Sequence, residues 1–88
     1  MITSAQMRAA RALLGIDQKR LAQLSGLSVP TIQRMEASDG NVRGMADSLT
    51  RVVEALDLAG IALIGEGAAS ASGGRGVRLK PVPDSDNP

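Results

Sequence analysis

The ionisable side chains of this chain exclude most reaction chemistry and leave one kind standing. There is no histidine and no cysteine, which removes the commonest general base, the commonest metal ligand and all thiolate chemistry. The carboxylates Asp17, Glu36, Asp39, Asp47, Glu54 and Asp57 form no metal-ligand constellation, and no nucleophile has a base beside it. Gly73, Gly74 and Gly76 make no phosphate loop, because no Lys-Ser/Thr pair follows and no helix is expected to open there. No catalytic residue, metal or cofactor is therefore expected. What remains is cationic: Arg8, Arg11, Lys19, Arg20, Arg34 and Arg43 lie in the first half, whereas Asp47, Glu54 and Asp57 crowd the next helix. The formal charge is only +1, yet a dipolar domain with one basic face can bind phosphates at near-neutral total charge.

Cations become a binding surface only on elements that present them. Residues 18–36 read as two short helices joined by a tight glycine turn, the arrangement that lays a second helix into the DNA major groove. Ala22 is small where two helices would cross closely, and Gly26 supplies the backbone a sharp turn wants. Ser28 can cap the second of the two helices, with Pro30 in its first turn, where a missing N–H costs nothing. Leu21, Ile32 and Met35 would point to a shared core.

Flanking segments supply the rest of that core. Thr3 and Gln6 resemble a capping box opening a helix that runs to about Leu14, with Met7, Ala10 and Leu14 buried and Gly15 ending it. Asp17 caps the next helix, which runs to about Ser25, and the third covers about Val29 to Ala37. Ser38 to Asn41 is a loop by composition. From about Gly44 to Leu58, Met45, Leu49, Val52, Val53 and Leu56 form a helical core stripe. Gly60 to Gly65 and Gly76 to Pro81 read as two strands, the second alternating apolar and basic residues, with a mobile connection over 66–75. With 88 residues, an apolar fraction of 43% and no aromatic side chain, the core is built from small aliphatics and would gain from burial against a second subunit. No apolar run is long enough to cross a bilayer, and the N-terminus lacks the order of a signal peptide. A soluble cytoplasmic protein is expected, associated with the nucleoid when bound to DNA.

Residues 3–58 resemble the Cro and phage-repressor family of helix-turn-helix proteins, also called XRE-type, through Gln18, Leu21-Ala22, Gly26, Ser28, Thr31-Ile32 and Glu36 and the helices around them. That resemblance implies a mainly α fold, a four- to five-helix lambda-repressor-like domain over 1–59; it does not include the C-terminal β-hairpin or strand that the residue pattern gives over 60–81, nor the disordered tail that composition gives over 82–88. It also implies a sequence-specific transcriptional regulator on double-stranded DNA. Its groove-facing positions fall on Ser28, Val29, Pro30, Gln33 and Arg34; Arg34 suits guanine, Gln33 adenine or else a phosphate, and Val29 and Pro30 thymine methyls. Phosphate contacts are implied for Gln18, Lys19, Thr31, Asn41 and Arg43, and a structural ion pair for Arg11 and Glu36.

So small a reading surface implies two copies on a palindromic operator. The hairpin is the candidate homodimerisation element, through Ile61, Leu63, Ile64, Val77 and Leu79. The alternative is an antitoxin-like protein whose C-terminal segment binds a regulatory protein partner. A small-molecule ligand is not expected.

Overall fold

The computed structural model describes residues 2–65 and 73–81. In chain order it has α1 (Ser4–Leu14), α2 (Gln18–Ser25), α3 (Val29–Glu36), α4 (Ala46–Leu58), β1 (Ile61–Ile64) and β2 (Gly76–Leu79). The fold is mainly helical with a C-terminal hairpin, as the sequence implies. Of the mobile connection expected over 66–75, residues 66–72 lie outside the described residues, as does the tail expected over 82–88.

Local chemistry sets the helix ends. Thr3 and Gln6 form the full capping box: Gln6 N donates to Thr3 Oγ1 at 3.1 Å and Thr3 N donates to Gln6 Oε1 at 2.9 Å. Asp17 Oδ1 accepts from Arg20 N at 2.8 Å at the start of α2. Ser28 Oγ accepts from Thr31 N at 3.3 Å at the start of α3. Gly26 ends α2 in the left-handed region at φ 72°. A Cβ there would lie 3.3 Å from Arg51 Nη1, the movable tip of an exposed side chain, so it is the positive φ that asks for glycine.

One helix starts later than its apolar pattern suggests. Gly44 and Met45 are not helical; Met45 has φ −68° and ψ 144° and precedes α4 without a side-chain cap bond. Its side chain therefore leaves the buried stripe and is 77% exposed. The core position expected for Met45 is corrected accordingly. Val52, Ala55 and Leu56 carry the burial of α4, with Leu49 and Val53 half-buried beside them.

The core gathers Ile2, Met7, Ala10, Leu21, Ala22, Ile32, Met35, Val42, Val52, Leu56 and Ile61. It joins all four helices to the first residue of β1. β1 and β2 pair antiparallel within the chain, Ile61 opposite Leu79 and Ile64 opposite Gly76. The hairpin packs on α4 through β1 and on α1 through β2. Ile61 is 1% exposed, so it fills its own subunit's core and offers no side chain to a second copy. A place for Ile61 in an edge-to-edge dimer would then rest on its main chain.

Candidate nucleic-acid interface

α2 and α3 pack against each other across the Gly26 turn. Leu21, Ala22 and Ser25 of α2 and Ile32, Met35 and Glu36 of α3 are buried. Helical geometry then sends the remaining positions of α3 outward. Ser28, Pro30, Gln33 and Arg34 are exposed, while Val29 and Thr31 are half-buried. Val29 packs against the core, so less of it is available to a base edge than the spacing alone suggests.

The far end of α3 is held by a network around a buried carboxylate. Glu36 is 4% exposed. Arg11 grips it with both prongs of its fork, Nε to Oε2 at 2.7 Å and Nη2 to Oε1 at 2.8 Å. Gln18 Nε2 donates to the same Oε1 at 3.1 Å. Arg8 Nη1 donates to the Glu36 carbonyl at 2.5 Å, satisfying one acceptor at the C-terminal end of α3. Arg11 Nη1 reaches the Ile16 carbonyl at 3.3 Å. One carboxylate thereby ties α1, the start of α2 and the end of α3 into a fixed relation. The hydrogen bond with Glu36 raises the Arg11 guanidinium above its ordinary value; burial pulls the other way, and attraction to Glu36 and Asp17 adds to the rise.

The loop after α3 is fastened from the N-terminus. Residues 2–4 run antiparallel to residues 40–42: Val42 N donates to Ile2 O at 3.0 Å, and Ser4 N to Gly40 O at 2.9 Å. Thr3 and Asn41 form the bridge between them. Ser38 Oγ accepts from Arg43 N at 3.2 Å and donates to Arg34 O at 3.4 Å. Arg34 and Arg43 thus line one open depression with Thr31, Ser38, Met45 and Ser48.

Residues 7–44 match the family model described as helix-turn-helix. Over those residues the chain has the helix-turn-helix of the Cro and phage-repressor, XRE type. No curated protein matches the chain. A domain of this type makes the chain a DNA-binding regulatory protein in general terms. The match stops short of α4 and the hairpin, so what those elements do rests on their own geometry.

Within the helix-turn-helix domain, the candidate residues divide into two groups. Ser28, Pro30, Gln33 and Arg34 share the outer side of α3, and Lys19, Asn41 and Arg43 are exposed on α2 and the loop. Arg11 and Glu36 form the inward pair that the resemblance implies. Gln18 Nε2 gives one donor to Glu36, and the Asp17 carboxylate caps the same helix end. A negative cap offsets the positive end of the helix dipole that a phosphate would otherwise meet. Thr31 likewise spends its hydroxyl on neighbours, lying 2.9 Å from Ser28 Oγ and 3.3 Å from Arg34 Nη2.

The hairpin residues also divide. Leu63 and Val77 pack against the core beside Ile61, Ile64 is half-buried, and Leu79 is exposed. Sequence reasoning missed the residue that anchors this element. Gln6 Nε2 donates to Ile64 O at 3.1 Å and to Gly76 O at 3.0 Å, one carbonyl from each strand. It missed Arg8 as well, whose partner is a main-chain carbonyl with no side-chain signature. Ser38 was legible only as a loop residue. Among the described residues no cluster of acidic side chains is placed to hold a metal, and no helix is long and apolar enough to cross a membrane.

Proposed function

We propose that the protein is a sequence-specific transcriptional regulator that binds a short palindromic operator as a homodimer, with α3 in the major groove. The observation that carries this reading is the outer side of α3, where exposed Ser28, Pro30, Gln33 and Arg34 stand on a helix locked by the Arg11–Glu36 pair. Arg34 reads guanine through O6 and N7, Gln33 reads adenine, and Pro30, with the exposed part of Val29, meets thymine methyls. Lys19, Asn41 and Arg43 take phosphates, which set affinity and register. Gln18 and Thr31 stand at the margin of that phosphate set, since each already has a partner within the protein.

Two copies meet through the hairpin in this reading, and charge favours one edge. β2 carries Arg78, with Arg75 before it and Lys80 after, so pairing it with itself across a two-fold axis would oppose like charges. β1 is Ile-Ala-Leu-Ile and has no charge to blunt its edge. The reading therefore gives the two-fold contact to β1, with Leu63 and Ile64 nearest it and Val77 and Leu79 behind.

The test is the solution mass of the full chain and of Ala62→Lys, together with their affinities for a duplex selected by the wild type. Truncation is a poorer tool, because cutting after Leu58 removes Ile61 from the core. The expected result is a wild-type dimer and a monomeric variant that binds one half-site weakly. A wild-type monomer that binds as tightly as the variant overturns the homodimer and leaves the hairpin either as a cap on its own helical core or as a docking site for a different protein, as in the antitoxin-like alternative. A full chain that selects no sequence overturns the regulator reading itself.

A further inference from the structure

We infer that Thr31 is a positioning residue for Arg34, and that the preference for guanine depends on its hydroxyl. The inference rests on the reading of α3 as the base-contacting helix. Ser28, Thr31 and Arg34 recur every third residue and so lie along one side of that helix. Thr31 Oγ1 accepts from Arg34 Nη2 at 3.3 Å and lies 2.9 Å from Ser28 Oγ. Ser28 Oγ in turn accepts from Thr31 N at 3.3 Å, which fixes it at the start of the helix. The relay therefore runs from a helix cap, through the hydroxyl of Thr31, to the tip of an exposed arginine.

This matters because a free arginine is a costly reader. Its long stem has many rotamers, and the order it acquires on binding is subtracted from the strength of the contact. Holding one guanidinium nitrogen against Thr31 removes part of that cost before DNA arrives. Only one of five N–H donors is used, so two parallel donors remain for guanine O6 and N7. The contact also restricts the direction in which the fork presents them. A hydroxyl spent in this way acts on base choice, whereas a hydroxyl on a phosphate would strengthen binding to every sequence alike.

The experiment uses the full chain. The wild type selects duplexes from a randomised pool at fixed salt, and Arg34→Ala identifies the guanine whose preference it loses. Affinities of wild type, Thr31→Val and Thr31→Ser are then compared on that duplex and on one carrying 7-deazaguanine at the same place. The ratio between duplexes is insensitive to the folded fraction of a variant. Thr31→Val is expected to lose about three- to tenfold on guanine and little on 7-deazaguanine, with Thr31→Ser close to wild type. An equal loss on both duplexes assigns Thr31 to a phosphate and overturns the inference, as does no loss on either. A wild type with no Arg34-dependent guanine overturns the base-contact reading, and this inference falls with it.

Discussion

Glu36 shows how one residue type, at one depth, sets the behaviour of a site. Its carboxylate is nearly inaccessible and shares its two oxygens among Arg11 and Gln18. Removing one member of a buried pair leaves the other charged and without compensation, which costs more than the pair contributes. Arg11→Ala should therefore lower stability by roughly 2–4 kcal/mol in urea denaturation. Arg11→Met combined with Glu36→Leu should recover much of that loss, because no charge is then left buried. If the double variant is as unstable as Arg11→Ala alone, the carboxylate is not the source of the penalty. The pH dependence has a definite sign. Arg11 is raised in the folded state, so its contribution is fully present below its ordinary value. It is lost only as pH climbs above that value. Unfolding free energy measured from about pH 6 to about pH 9 should show no inflection from Arg11, since even an unpaired guanidinium stays charged throughout that window.

At the scale of elements, Gln6 uses both ends of its amide. Its oxygen closes the capping box of α1, and its nitrogen holds the carbonyls of Ile64 and Gly76 where the strands part. Gln6→Glu separates the two jobs, because a carboxylate keeps the acceptor for Thr3 and supplies no donors to the hairpin. The variant should keep α1 intact while β1 and β2 lose protection in hydrogen exchange by about 1–3 kcal/mol per deserted carbonyl. Equal loss of protection in α1 and the hairpin would show that the clamp and the cap are not separable. The same residue marks the limit of what the sequence discloses. Thr3 and Gln6, Asp17, Ser28 and Gly26 were legible because caps and turns are set by residues three or four apart. The clamp joins positions 58 and 70 residues apart, and no local pattern announces it. The burial of the Ile61 side chain in its own core was not legible for a related reason: its strand alternation is the same whether the partner is its own helices or another chain. Met45 was misplaced because an apolar residue at helical spacing looks buried until the first helical residue is known.

At the scale of the whole molecule, a net charge of +1 hides an uneven distribution. Among the described residues, Lys19 and Arg43 are exposed cations of the proposed interface without an ion-pair partner, while Asp47 pairs with Arg51 and Asp57 with Lys80. Affinity for DNA should then depend on salt through a small number of phosphates per protomer. Each neutralised phosphate releases counterions and steepens the plot of log affinity against log salt by about 0.9. Lys19 and Arg43 together give a slope of about −1.8 for one protomer and about −3.6 for two. Raising salt from about 50 to about 200 mM should thus weaken a bound monomer about twelvefold and a bound dimer about 150-fold. Fluorescence anisotropy on a selected duplex measures this directly, and Arg43→Ala should flatten the dimer slope by about 1.8, about 0.9 per copy. A slope of about −1.8 in the wild type that Arg43→Ala halves would mean that a single protomer grips the operator. A slope unmoved by Arg43→Ala would remove the loop after α3 from the interface and leave the phosphate contacts to α2.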